Sequence, residues 1–148
     1  MLNGIPKSIS PELLKVLCEM GHSDVICIGD GNFPADRFAR EGNCKIVRAD
    51  GIGCCELLES ILKLMPADSY VDCPITLMKK APIDKDLDIS IWDEFETIIS
   101  KYDSRHEKAI RFCDRFEFYE QAKKCYCIVQ SGEEQIYANV MIQKGVIK

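Results

Sequence analysis

Residues 25–34 read Val25-Ile26-Cys27-Ile28-Gly29-Asp30-Gly31-Asn32-Phe33-Pro34. An unbroken apolar run of this length suits a strand buried on both faces, and the cluster of turn residues after it ends the strand at once. Upstream, Ser10-Pro11-Glu12 starts a helix with a capping hydroxyl, Pro at the first helical position and an acid in the first turn. Leu13, Leu14, Leu17 and Met20 give it one apolar face, and Gly21 ends it. A helix is thus followed by a buried strand whose end carries polar turn residues.

The rest of the chain continues the alternation. Lys45–Arg48 reads as a second strand, Glu56–Met65 as an amphipathic helix, and Pro74–Met78 as a third strand. Trp92, Phe95, Ile98, Ile99 and Tyr102 recur at helical steps, and Lys101–Lys108 is a charged connection. Phe116–Lys124 is helical by pattern. Cys125–Val129 and Ile136–Ile142 are expected strands, joined as a hairpin by Ser131-Gly132-Glu133-Glu134. No element is assigned to residues 35–44 or 109–115. The order argues an α/β class, a mixed sheet with helices packed on it, in one domain spanning residues 1–148. A chain of 148 residues and 47% hydrophobic composition is of ordinary size for that.

Charge and composition exclude several functions. The net charge is −5, and Asp84 to Glu96, with six acids and one Lys, accounts for all of it. No basic stripe exists to neutralise phosphates, so nucleic acid is not an expected partner. The acidic run alternates with Leu87, Ile89, Ile91 and Trp92, as a solvated face on a half-buried segment does. The longest apolar run, Cys125–Val129, is far too short to span a membrane. No basic-then-apolar leader opens the chain, so no cleaved secretory signal is expected.

The nine cysteines include no C-x-x-C pair, so they do not read as a metal site. Cys18, Cys27, Cys125 and Cys127 read as core packing, with Cys125 and Cys127 on one strand face. Free thiols in this number fit a reducing, cytoplasmic setting.

The polar residues at element ends are the informative ones. His22 lies between the first helix and the first strand, beside Asp24, and is the better placed of two histidines for proton transfer near neutral pH. His106 sits in a solvated Ser-Arg-His-Glu-Lys context and reads as structural or neutral. Asp30 and Asn32 follow a strand, the usual ligand edge of an open α/β sheet. Arg115 and Tyr119 are four apart and share a helix face. Tyr137 and Asn139 are two apart on the expected last strand and so point to one side. There is no nucleophilic Ser or Cys in a recognisable turn, no glycine-rich phosphate loop and no metal cluster. Carboxylates, hydroxyls, amides, an Arg and aromatic rings suit a neutral polyhydroxylated ligand such as a sugar.

A run of motifs carries a resemblance. Ser10-Pro11-Glu12-Leu13-Leu14, Met20-Gly21-His22, Asn32-Phe33-Pro34, Arg48-Ala49-Asp50-Gly51 and Asp68-Ser69-Tyr70-Val71 precede Arg115-Phe116-Glu117-Phe118-Tyr119-Glu120-Gln121-Ala122. Ser131-Gly132-Glu133, Tyr137-Ala138-Asn139 and Lys144-Gly145-Val146 follow it. In this order the chain resembles the fucose mutarotase family, the FucU branch of the RbsD/FucU fold, over essentially its whole length. The resemblance implies that His22 is the proton donor and that Asp30 holds the sugar. It implies that Asp68 and Arg115 contact the sugar, that Tyr119 takes part in catalysis, and that Tyr137 and Asn139 line the site. It also implies an L-fucose substrate, no cofactor or metal, and a decamer of two stacked pentameric rings with sites close to subunit contacts. Trp92, Phe33 and Phe38 are the candidate interface residues from the sequence itself.

Arg115, where the ribose pyranase branch has His, and the Phe-x-Phe-Tyr-Glu run favour fucose over ribose. Ala138, in place of the Gly of many fucose members, and Ser23 point the other way. The alternatives are a ribose pyranase and a non-catalytic sugar-binding transport accessory. In a mutarotase His22 is expected to protonate the ring oxygen, with Asp24 or Asp30 beside it keeping a proton available. Tyr119 or a bound water handles the anomeric hydroxyl. An extended chain puts His22 and Asp30 ~26 Å apart. Either the segment Gly21–Asp24 folds back, or subunits share the pocket.

Overall fold

The computed structural model describes residues 2–148. Five helices, α1 (Pro11–Glu19), α2 (Ala35–Gly42), α3 (Cys54–Leu64), α4 (Ile91–Tyr102) and α5 (Arg115–Ala122), accompany six strands. These are β1 (Val25–Gly29), β2 (Lys45–Ala49), β3 (Ile75–Met78), β4 (Ile110–Cys113), β5 (Cys127–Ser131) and β6 (Val140–Gln143). They form one mixed sheet in the order β2-β5-β1-β6-β3-β4. The expected α/β class and mixed sheet are present.

Local chemistry explains the elements. Ser10 Oγ accepts from Leu13 N at 3.1 Å and caps α1. Ile26, Cys27 and Ile28 have no exposed surface, as a central strand covered on both faces requires. Ile26 and Ile28 join Leu13, Leu57 and Phe95 in a core between the sheet and α1, α3 and α4. Cys27 joins Phe38 and Phe118 in a second core on the opposite face, beneath α2 and α5.

Four expectations are corrected. Helix α2 was not expected, yet Ala35, Phe38 and Ala39 are its buried positions. Its Asp36–Arg40 and Arg37–Glu41 ion pairs sit at four-residue spacing. Its end packs so close to α5 that a Cβ on Gly42 would lie 1.8 Å from the Lys123 carbonyl oxygen. Edge strand β4 was not expected either, because its half-exposed residues carry no clear alternation.

The expected terminal hairpin does not form. β5 runs parallel to β1 and β2, while β6 runs antiparallel to β1 and β3, so β1 lies between them. Residues 132–139 cross the carboxyl end of β1, anchored by Gly31 N donating to Glu133 O at 2.8 Å. Tyr137 and Asn139 therefore belong to this crossing and not to the strand, and Tyr137 has φ of 61°. Finally, Cys125 and Cys127 do not share a face. Cys125 precedes β5 and packs in the second core, and Cys127 packs in the first.

The crossing is latched by a reciprocal pair. Asp30 N donates to Asn139 Oδ1 at 2.9 Å, and Asn139 Nδ2 donates to Asp30 Oδ2 at 2.9 Å. Both side chains are almost fully buried. Asn139→Ala should cost about 2 kcal/mol near pH 7, the scale of a lost buried bond to a charged group. Burial raises the Asp30 carboxyl above its ordinary value, against the hydrogen bonds it accepts. The loss is therefore largest when Asp30 is ionised and shrinks as pH falls through the folded value. Chemical denaturation of both proteins across a pH series checks this.

Candidate active site

The structure separates the sequence-predicted residues into two groups at opposite ends of β1. Asp30, Arg115, Tyr119, Tyr137 and Asn139 line one cavity of about 300 Å³, with Met78 and Asp84. His22 and Asp68 lie beyond the other end of the strand. Five residues of strand span roughly 16 Å.

The cavity is built where the carboxyl end of β1 meets the start of α5, the end of β3 and the crossing before β6. Asp30 Oδ1 accepts from Asn32 N at 2.9 Å, which closes the turn after the strand. Gln130 Nε2 donates to the Asp30 carbonyl at 2.7 Å, and Ser131 Oγ donates to that of Gly29 at 2.7 Å. Asp30 is thus held through its backbone from β5 and through its carboxylate from the turn and the crossing.

Arg115, the first residue of α5, is exposed and makes no ion pair among the described residues. Its guanidinium lies 4.9 Å from the centre of the Phe116 ring. Tyr119, one turn later, forms an aromatic wall with Phe33 and Phe38 at centroid distances of 5.9 and 4.8 Å. Phe33 and Phe38 are buried in this chain and so are not the interface residues expected of them.

Tyr137 is held at three points. Its hydroxyl donates to Asp84 Oδ2 at 2.6 Å and accepts from Ala81 N at 2.9 Å. Its carbonyl accepts from Trp92 Nε1 at 3.0 Å. Burial first, then the Asp84 carboxylate, push its phenol up, so it stays protonated. Asp84 was missed in the sequence, where it belongs to the acidic run that reads as a solvated face. Met78 was missed because nothing distinguishes it from an ordinary strand-end apolar residue.

At the other end, His22 Nε2 lies 3.0 Å from Asp68 Oδ2. The expected neighbours, Asp24 and Asp30, are not its partners. Asp24 accepts from Gly21 N at 2.7 Å and shapes the turn, while Asp30 is a strand-length away. Burial opposes the charge on Asp68, but Tyr70 N–H, His22 and the Gln143 amide outweigh it and hold the carboxyl below its usual range. An ionised Asp68 is an acceptor, so Nε2 of His22 carries the proton and Nδ1 remains for a ligand. Arg105 fixes this turn by donating to the Asp68 carbonyl at 2.9 Å while chelating Asp103. The His22 ring is 43% exposed and lies 5.2 Å from that of Tyr70. His106 is exposed.

Among the described residues no group of three or more His, Cys, Asp or Glu is placed to hold a metal. Acceptors, donors and one cation around an aromatic wall can bind hydroxyls and move protons among them.

Known proteins share this framework. The RbsD / FucU transport protein family matches residues 3–147. The fucose mutarotase of Homo sapiens is 43% identical over 148 residues, covering 99% of this chain and 94% of that protein. The FucU structure from Bifidobacterium longum superposes with a TM-score of 0.95 at 51% identity, covering 99% of this chain and all of the other. The fucose mutarotase of Streptococcus pneumoniae, solved in complex with L-fucose, gives a TM-score of 0.89 at 45% identity with the same coverage. With residues 3–147 matched by the family model and nearly its entire length superposing on FucU structures, this chain belongs to the RbsD/FucU family.

Proposed function

We propose that this protein is an L-fucose mutarotase, an isomerase that interconverts the α and β anomers by opening and reclosing the sugar ring. The observation that carries this reading is the cavity on which Asp30, Arg115, Tyr119, Tyr137 and Asn139 converge. It is supported by a homologue of 45% identity bound to L-fucose.

Ring opening needs two proton movements. The ring oxygen takes a proton as its bond to C1 breaks, and the anomeric hydroxyl gives one up as C1 becomes a carbonyl. Closure on the other face reverses both. As an imidazolium, His22 donates to the ring oxygen from Nδ1 while Nε2 stays hydrogen-bonded to Asp68, which orients the ring as a carboxylate behind a catalytic histidine does. Arg115 and the Asp30–Asn139 pair hold the remaining hydroxyls. Tyr119 supplies an apolar ring and a hydrogen-bonding phenol hydroxyl.

A monosaccharide is far shorter than the separation between His22 and the cavity. The turn Gly21–Asp24 does not fold back, since Ser23 N donates to Lys144 O at 2.9 Å and Lys144 N donates to Asp24 O at 2.8 Å. The working site is therefore shared, with His22 of one copy facing the cavity of another. Both half-sites carry exposed aromatic or apolar rims suited to being covered: Tyr70 at 64% exposure near His22, and Phe116 and Ile136 at 71% and 43% near the cavity. A decamer of two pentameric rings is the assembly that accords with this sharing. A cytoplasmic setting accords with nine free cysteines. No described helix is long and apolar enough to cross a membrane.

His22→Ala should slow fucose anomer exchange by ~10²–10⁴, the usual weight of one acid–base group, while affinity changes less. Saturation-transfer NMR at saturating fucose, paired with calorimetry, measures both, and ribose run in parallel tests the other sugar. A wild-type protein that binds fucose without speeding exchange is an accessory binder and not a mutarotase.

Sharing is tested by complementation. His22→Ala and Arg115→Ala should each be impaired alone, the second chiefly at low fucose. Co-expressed in one assembly they should regain exchange, because some sites then pair an intact His22 with an intact cavity. Mixtures no better than their components would mean that each chain builds its own site.

A further inference from the structure

Ring opening requires an acceptor for the anomeric proton, and the cavity groups can be taken in turn. Arg115 has no acceptor atom, and the Asn139 amide is committed at both ends to Asp30. Both oxygens of Asp30 are engaged, Oδ1 by Asn32 N and Oδ2 by Asn139, and its carboxylate is almost fully buried. Tyr119 brings its own phenol proton. Tyr137 already gives its proton to Asp84 and accepts one from Ala81 N.

Asp84 alone remains. It lines the cavity, it is only half-buried, and Tyr137 is the one hydrogen-bond partner of its carboxylate among the described residues. That bond uses Oδ2 and leaves Oδ1 open. The turn carrying Asp84 is also fixed. Asp84 N donates to Ala81 O at 2.9 Å, and Lys80 Nζ straps the loop by donating to the carbonyls of Lys85 and Leu87 at 2.9 and 2.7 Å.

Building on the mutarotase reading, we propose that Asp84 is the general base for the anomeric hydroxyl and that Tyr137 is its positioning residue. Oδ1 takes the anomeric proton, the O–H electron pair forms the C1 carbonyl, and the C1–ring oxygen pair leaves to the ring oxygen, which takes the proton of His22. The half-reaction ends with Asp84 protonated and His22 neutral. Closure on either face returns both protons, so no co-reactant is consumed.

Arg115 and Tyr119 face the cavity from α5, Asp30 from the end of β1, and Tyr137 from the crossing. Lys80, Lys85 and Asp86 lie on its own loop. The Tyr137 O–H holds Oδ2 and so turns Oδ1 toward the cavity; removing it should loosen the base without removing it.

The test measures anomer exchange by NMR for wild type, Asp84→Asn, Tyr137→Phe and Asp86→Asn, with fucose affinity by calorimetry. Asp84→Asn should lower the maximal rate by ~10²–10⁴ with affinity nearly kept. Tyr137→Phe retains the base but not its orientation, so its maximal rate should fall by less than that of Asp84→Asn, again with affinity nearly kept. This arm decides the matter if Asp84→Asn does not fold. Asp86→Asn should behave as wild type. An Asp84→Asn enzyme with near wild-type rate, or one weakened only in affinity, overturns the proposal, as does a Tyr137→Phe enzyme with wild-type maximal rate. A wild-type protein without exchange activity overturns the mutarotase reading itself, a result distinct from all of these.

Discussion

The Asp30–Asn139 pair is the contact on which the site depends. The chain must carry its last segment over the end of β1 so that β6 can enter the sheet on the far side of β1 from β5. That crossing exposes backbone groups at the point where β1 stops. Asn139 answers with both ends of its amide, one to the Asp30 backbone and one to its carboxylate. Gln130 and Ser131 take the neighbouring carbonyls of Asp30 and Gly29. Buried polar groups left unpaired would each cost on the order of 1–3 kcal/mol, so this set fixes the crossing in one arrangement. The same bonds hold a carboxylate at the floor of a cavity despite the burial that raises it.

The cavity wall follows from that arrangement. Once the crossing is set, Tyr137 is held between the 79–84 turn and Trp92, and Arg115 at the head of α5 is brought to the rim without a carboxylate partner. An unpaired guanidinium beside a carboxylate and a rigid aromatic wall suits a ligand dense in hydroxyls. Such a ligand offers donors and acceptors together and an apolar ring face to pack on Phe33 and Tyr119. Positioning here comes from hydrogen bonds to the Asp30 and Asp84 carboxylates and from packing, which fix these groups before a ligand arrives.

Much of this was legible in the sequence because it is local. Ser10-Pro11 announced α1, the run from Val25 announced β1, and three- and four-residue apolar steps announced α3 and α4. What failed was long-range. Two apolar runs bracketing Ser131-Gly132 satisfy every local rule for a hairpin, yet each strand finds better-buried neighbours elsewhere, and no pattern within the last twenty residues records that β1 lies between them. Asp84 was misread for a related reason. Acids at 84, 86 and 88 look equivalent along the chain, and only the fold brings the first under the hydroxyl of Tyr137, 53 residues away. His22 was identified correctly as a held histidine at a strand edge, but its partner, 46 residues on, was not.

The length of β1 separates the two groups of polar residues, and that separation is what the shared-site proposal rests on. His22 is fixed by Asp68, which is fixed by Tyr70, Gln143 and Arg105, and none of these touches the cavity. Within one chain His22 is thus oriented and half-exposed, a strand-length from the cavity. The cavity gathers carboxylates, an Arg, two Asn amides and two phenols without a histidine. Each half leaves Tyr70 or Phe116 in solvent, so an apposition that buries those rings would bring the missing group with it. If the site is shared as proposed, folding of one chain and completion of the site are separate events, the first governed by the Asp30–Asn139 latch and the second by contacts between copies. A change at the rims would then abolish exchange while leaving every bond within the chain in place.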